Sequence, residues 1–214
     1  MRVLITGTAS GIGRAMAEKF LAAGDQVWGL DLQPAPIVHP GYTHLLRDIR
    51  DPAPLSLAPE ILISCAGTLE ESEAIDVNLT GTMDFIDRFR DCPGLRSILL
   101  IASASARNGA EFPRYVASKA GLVGYMKNLA LAVAPRGVTC NSISPGGVIT
   151  PANRHILEDE TLYAAVRAET LLGKWAQPEE IADLGYFLTV VNRSITGEDI
   201  LIDNGEMLRS NFIW

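Results

Sequence analysis

The first 31 residues constrain the fold more than any other stretch of the chain. Arg2 to Thr6 is a short apolar run, Gly11 to Ala23 repeats apolar residues at helical spacing and stops at Gly24, and Gln26 to Asp31 is a second apolar run closing on an acid. Two strands flanking one helix form a β-α-β unit, whose strands pair in parallel through a crossover. The same alternation continues, with strand candidates at 43–46, 60–65, 96–103, 137–143 and 199–202 and helical candidates at 74–90, 113–134 and 178–190. Ile61-Leu62-Ile63 and Ser97-Ile98-Leu99-Leu100-Ile101 are nearly continuous apolar runs, as expected of strands covered by helices on both faces. The pattern predicts an α/β fold, a three-layer doubly wound parallel sheet. No internal repeat or linker divides the chain, so residues 1–214 read as a single domain.

Two segments depart from the rhythm. Pro34 to Pro59 carries six prolines where such a fold normally has a crossover helix, which predicts that this helix is shortened or lost. Residues 148–173 follow Pro145-Gly146-Gly147 and read either as a cover over a site at the strand ends or as a plain surface excursion; the cover is favoured by its place on the ligand-binding face.

Composition excludes several classes. A formal charge of −7, with Arg and Lys scattered, argues against nucleic acid and anionic membrane as partners. No stretch approaches the roughly 18 apolar residues of a membrane span and no leader pattern opens the chain, so the expected location is cytoplasmic. Cys65, Cys92 and Cys140 lack any CxxC spacing and His39, His44 and His155 lack ligand spacing, so neither a disulfide framework nor a metal site is expected, and buried free thiols are.

The loop after the first strand reads Thr6-Gly7-Thr8-Ala9-Ser10-Gly11-Ile12-Gly13 and opens the first helix, the context that turns a glycine pattern into a phosphate-binding site. Gly7 permits a tight turn, Gly11 a close backbone approach to a pyrophosphate, and Gly13 close helix–strand packing. Ser10 and Ile12 lie in the same loop. Asp31, followed by Leu32, ends the second strand, where a carboxylate accepts from both ribose hydroxyls and repels a 2′-phosphate, which favours NAD over NADP. Arg14 is the nearest basic residue able to counter this, unless it is simply solvated. Asp48-Ile49 follows the third strand and reads either as an adenine edge or as a turn.

Tyr115 and Lys119 stand four apart on a predicted helix and share a face, so the ammonium is expected to lower the phenol pKa and make Tyr115 an acid or base near neutral pH. Ser103 ends a central strand; Ser105, two residues on, points the same way if the strand continues and is a second candidate donor.

With these motifs in place the chain resembles the short-chain dehydrogenase/reductase family, in its compact form with GxxxGxG spacing. The likeness runs from Arg2 to about Gly205 through Thr6 to Gly13, Cys65-Ala66-Gly67, Asp76-Val77-Asn78, Ser103, Tyr115 with Lys119, Asn141 to Gly146, and the run from Gln177 through Ile195-Thr196-Gly197 to Asp203-Asn204-Gly205. It implies a Rossmann-type oxidoreductase in which Tyr115 exchanges a proton with the substrate oxygen. Lys119 lowers its pKa and holds the nicotinamide ribose, Ser103 hydrogen-bonds the reacting oxygen, and Asn78 anchors a water linked to Lys119. Thr150 and Val148, after Pro145-Gly146, resemble the part that binds the nicotinamide carboxamide. Ser118 reads as a packing or dimer-face residue. Three departures stand out: Cys65 where the family usually has Asn, only ten residues between Gly67 and Asn78, and Asn204 in place of the usual Gly.

The expected activity is therefore that of an NAD-dependent alcohol dehydrogenase or carbonyl reductase acting on a small to medium secondary alcohol or ketone. A redox-inactive dinucleotide-binding regulator, and an NADPH-dependent reductase of carrier-bound 3-ketoacyl groups, are the alternatives; Asp31 and the acidic balance speak against the second. The resemblance implies a homodimer or homotetramer. The tail Phe212-Ile213-Trp214 either packs at a subunit interface or folds on its own subunit.

Overall fold

Seven strands form one parallel sheet in the computed structural model, which describes residues 1–208. In chain order the elements are β1 (Arg2–Thr6), α1 (Gly11–Ala22), β2 (Gln26–Asp31), β3 (Tyr42–Leu46), β4 (Ile61–Ser64), a π-helical segment (Ile75–Gly81) running into α2 (Thr82–Asp87), β5 (Ser97–Ile101), α3 (Ser105–Asn108), α4 (Pro113–Val133), β6 (Thr139–Pro145), α5 (Arg154–Leu157), α6 (Glu160–Ala168), α7 (Pro178–Tyr186) with a π-helical end (Phe187–Val191), and β7 (Asp199–Ile202). The strand order is β3-β2-β1-β4-β5-β6-β7. Chain direction across the sheet reverses beside β1, and the crevice outside the strand ends opens there.

Alternation along the strands divides the core between two faces. Val3, Ile5, Ile61, Ile63 and Leu99 pack with Met16, Phe20 and Ile181 of α1 and α7. Leu4, Leu62, Ile98 and Leu100 pack on the other side with Phe85, Leu122, Met126 and Leu129 of α2 and α4. Both sets are fully or nearly fully buried, which explains the continuous apolar runs in β4 and β5.

The expected strands are all present, with shifted edges. β5 stops at Ile101 and β6 begins at Thr139 and reaches Pro145. No helix occupies residues 34–59, in keeping with their proline content. The segment 148–173, expected as a cover over the strand ends or a plain surface excursion, holds the short helices α5 and α6. Asp159 caps α6 by accepting from the Leu162 N–H at 2.9 Å. Asn204 adopts the left-handed conformation, with φ 56°. The tail 212–214 lies outside the described residues.

One buried carboxylate ties the far side of the sheet together. Asp199, on β7, accepts from the hydroxyls of Ser142 at 2.7 Å and Ser144 at 2.8 Å on β6, and pairs with Arg107 of α3 at 2.8 Å. Among the described residues no helix is long and apolar enough to cross a membrane.

Candidate active site

A cleft of about 720 Å³ runs along the carboxyl ends of the strands. At one end lies the β1–α1 loop, with Gly7, Ser10, Gly11, Ile12 and Gly13 on its wall. Gly7 has φ 77°, and a Cβ there would lie 2.8 Å from the Ala66 nitrogen; a Cβ on Gly13 would lie 2.0 Å from the Gly7 carbonyl oxygen. No side chain fits at either position, so backbone N–H groups and the start of α1 form an open cradle of the kind that holds phosphate.

Asp31 enters the cleft from the end of β2. One carboxylate oxygen accepts from the Ala9 N–H at 2.9 Å and the other from the Gln33 N–H at 2.9 Å, which fixes the group against the glycine loop. The basic residues nearby already face acids. Arg14 pairs with Glu18 at 2.8 Å, Arg47 with Asp51 at 3.2 Å, and Arg50 with Asp48 at 2.8 Å and Glu73 at 3.4 Å. The hydrogen bond from Arg50 holds the Asp48 carboxyl below its ordinary value. Leu32 and Ile49 complete this end.

In the middle, Cys65, Ala66 and Gly67 follow β4. The Thr6 hydroxyl accepts from the Cys65 N–H at 3.1 Å and the Ala66 N–H at 3.0 Å, so a β1 side chain braces this loop. Burial pushes the Cys65 thiol up to about 12 despite the opposing charge of Lys119, leaving it protonated. Of the other thiols, Cys140 is buried and Cys92, in the turn between α2 and β5, is half-buried.

Ser103, Tyr115 and Lys119 meet at the far end, with Pro145, Gly146, Val148 and Thr150 opposite. Tyr115 lies one residue past the Pro113-Arg114 start of α4, and its helix is capped from a distance: Glu71 accepts from the N–H groups of Arg114 at 2.8 Å and Tyr115 at 3.2 Å. Lys119 is buried, its ammonium donating to the Ile101 carbonyl at 2.9 Å and lying 5.7 Å from the centre of the Tyr115 ring.

The electrostatics differ from the sequence expectation. Burial raises the Tyr115 phenol to about 12, opposed by its hydrogen bond with Ser103 and reinforced by Glu111. Burial likewise lowers Lys119 to about 8. The ammonium is turned to a carbonyl rather than to the phenol oxygen, so desolvation outweighs its attraction for the phenolate in the protein alone.

Asn78, like Ser105, is off the cleft wall. It is fully buried in the π-helical segment, with Oδ1 accepting from the Thr68 N–H at 2.7 Å and Nδ2 donating to the Thr68 carbonyl at 2.9 Å and the Ser118 hydroxyl at 3.1 Å. Ser118 in turn donates to the Tyr115 carbonyl at 2.7 Å. Ser118 is therefore not a dimer-face residue. It is buried and links Asn78 to the helical turn that carries Tyr115. Ser105 does not continue a strand; it opens α3 and turns inward.

Glu111, Phe112 and Ile156 also line the far end without having been singled out from the sequence, and His155 of the segment after Val148 lies there with them. Glu111 has a left-handed backbone, φ 84°, and its carboxyl is raised by burial and by Glu206. No motif signals it, since its place follows from the turn ahead of α4. Thr150 closes the site, its methyl 3.2 Å from where a Gly11 Cβ would lie.

The comparisons with known proteins fit this arrangement. The family model described as enoyl-(acyl carrier protein) reductase matches residues 67–206. The short chain dehydrogenase prhI of Penicillium brasilianum is 30% identical over 244 residues, covering 94% of this chain and 95% of that protein. A putative 2-deoxy-d-gluconate 3-dehydrogenase from Agrobacterium tumefaciens with bound NADP superposes with TM-score 0.87 at 25% identity, covering 97% of this chain and 96% of that one. A 4-hydroxyisoleucine dehydrogenase mutant complexed with NADH and succinate gives 0.83 at 25%, covering 99% and 100%.

Proposed function

The chain belongs to the short-chain dehydrogenase/reductase family, and on that premise we propose that it is an NAD-dependent oxidoreductase interconverting a small to medium secondary alcohol and its ketone. The observation that carries the proposal is the meeting of Ser103, Tyr115 and Lys119 in the same cleft as the open glycine cradle. A dinucleotide supplies the hydride acceptor or donor; Gly7 to Gly13, Asp31, Cys65 to Gly67, Pro145-Gly146, Val148 and Thr150 are the residues that hold it. Asp31 speaks for NAD, because Arg14, Arg47 and Arg50 are each engaged by carboxylates and none stands free to meet a 2′-phosphate. Of the structural neighbours, one is bound to NADP and another to NADH.

Tyr115 acts on the substrate oxygen. In the alcohol-forming direction its phenol donates the proton that the oxygen needs, and in the reverse direction its phenolate removes it. Ser103 donates to the same oxygen as charge develops there. Lys119, held by the Ile101 carbonyl, supplies positive charge beside the ring and would hold the nicotinamide ribose. Asn78 has its amide engaged three ways, so a water on Asn78 is held by the remaining Oδ1 lone pair or by the backbone carbonyl.

We read residues 1–214 as one oxidoreductase domain and 148–173 as its substrate cover, since Ala152, Asn153, His155 and Ile156 of that segment line the cleft. Phe112 and Ile156 suit an apolar substrate body, with Glu111 and His155 at hand for a further hydroxyl. The helices of the family's usual interface, α2 and α4, are retained, which supports a homodimer or homotetramer.

The test is Tyr115→Phe against a panel of secondary alcohols and ketones with NAD and NADH. Loss of about 10²-fold or more in turnover with NADH binding retained is expected; unchanged turnover of every accepted substrate refutes the assignment.

A further inference from the structure

Ser103 receives two hydrogen bonds from a single neighbour. The Ser105 hydroxyl donates to Ser103 Oγ at 2.8 Å and the Ser105 N–H at 3.2 Å. A serine hydroxyl offers two acceptor positions and one hydrogen. With both acceptor positions filled, Ser103 is left only with its own O–H to give, and the cleft, shared with Tyr115, is the side on which it is open.

Ser105 itself is 4% exposed and does not line the cleft, so it does not touch the substrate. It sits at the start of α3, a four-residue helix too short to hold its place unaided. Two residues on, Arg107 fastens α3 to the largely enclosed side chain of Asp199 at 2.8 Å. The short helix that carries Ser105 is thus tied to β7, which keeps Ser105 beside Ser103.

We infer that Ser105 is a positioning residue for the reaction: it commits the Ser103 hydroxyl to donate to the substrate oxygen. Hydrogen bonds accepted by Ser103 also polarise its O–H, making it the stronger donor when negative charge builds on that oxygen. Without substrate that single O–H meets the Tyr115 oxygen, whose phenolate it stabilises, and it passes to the substrate oxygen when one binds, so the effect extends to the proton exchange. The inference rests on the role given to Ser103 above.

The experiment compares wild type with Ser103→Ala, Ser105→Ala, Ser105→Cys, Ser105→Thr and the double variant Ser103→Ala/Ser105→Ala. The probe is whichever of 2-butanol, cyclohexanol and 1-phenylethanol the wild type oxidises fastest with NAD. Ser105→Ala is expected to lower kcat about three- to tenfold, the worth of one hydrogen bond, with the Kd for NADH unchanged. Ser105→Cys, which fills the space but donates weakly, should match it, and Ser105→Thr should recover most of the rate. The rising alkaline limb of kcat/KM should move to higher pH in Ser105→Ala, because a less polarised Ser103 stabilises the Tyr115 phenolate less. In the Ser103→Ala background the Ser105 substitution should have no further effect. Equal losses in both backgrounds, a fall confined to NADH binding, or full activity of Ser105→Ala beside a disabled Ser103→Ala overturns the inference while leaving the reading of Ser103 intact. Unchanged turnover in Ser103→Ala refutes that reading instead.

Discussion

Replacing Asp31 by alanine probes the cofactor end of the cleft most directly. The two carboxylate oxygens are each held by one backbone N–H at 2.9 Å, from Ala9 and Gln33, so the group is oriented before any ligand arrives. Two ribose hydroxyls donating to it form charge-assisted hydrogen bonds worth about 1.5–3 kcal/mol each. Half of that sum is a fair expectation for a cleft open to water, about 1.5–3 kcal/mol, or a rise of about 10- to 150-fold in the Kd for NADH. The same substitution removes a repulsion. Like unit charges about 5 Å apart cost about 0.8 kcal/mol in water and about 3 kcal/mol at an effective dielectric constant of about 20, so NADPH should bind at least about fourfold more tightly. The preference between the two cofactors therefore moves by at least about 40-fold. Titration of wild type and Asp31→Ala with NADH and NADPH at one fixed salt concentration, followed by nicotinamide fluorescence, reads it out. A wild type that prefers NADPH, or a variant whose preference moves less than about fivefold, refutes the reasoning.

Two further outcomes follow from the buried charges. Lys119 is lowered to about 8 in the folded protein, from 10.5, so between those values the unfolded chain holds the extra proton and the Lys119 contribution to stability rises with pH. The Tm of wild type relative to Lys119→Met should accordingly improve from pH 8 to pH 10, measured without cofactor, and a flat difference contradicts the burial of a charged Lys119. Asp199→Ala leaves Ser142, Ser144 and Arg107 without their common acceptor and should destabilise the protein by about 2–4 kcal/mol in urea unfolding, whereas a loss below about 0.5 kcal/mol shows the network to be dispensable.

Much of this molecule was legible in the chain. The β-α-β start, the apolar runs of β4 and β5 and the proline-rich gap each reflect local preference acting in the same direction as the global fold. Every residue expected along the cofactor path lies on the cleft wall, since strand ends and loop spacing fix such positions one-dimensionally. What escaped the sequence was whatever depends on contacts between distant segments. Glu71 caps α4 across more than 40 residues, Arg107 reaches Asp199 across 92, and neither leaves a local signature. The direction of Ser105 stayed open because two small residues after a strand continue it or turn it equally well. The lysine effect on Tyr115 was overstated because helical spacing gives proximity but not direction, and in the folded protein the ammonium points at a carbonyl. The helices of 148–173 were missed because both are short, α5 of four residues and α6 of nine, although α6 carries an apolar stripe.

The feet of that segment are joined. Val148 bridges Ala176 in parallel, the Ile149 N–H donates to the Ala176 carbonyl at 2.9 Å, and the Ala176 N–H donates to the Gly147 carbonyl at 3.0 Å. A stretch of chain tied off at its base is mechanically insulated from the sheet: it can lengthen, shorten or change its side chains without shifting the register of β6 against β7. The part of the cleft that meets the substrate is thus free to diverge while the part that meets the dinucleotide is not, and a graft of residues 151–170 from a relative, which leaves Thr150 and the Leu172–Asn204 hydrogen bond in place, exchanges the substrate side alone.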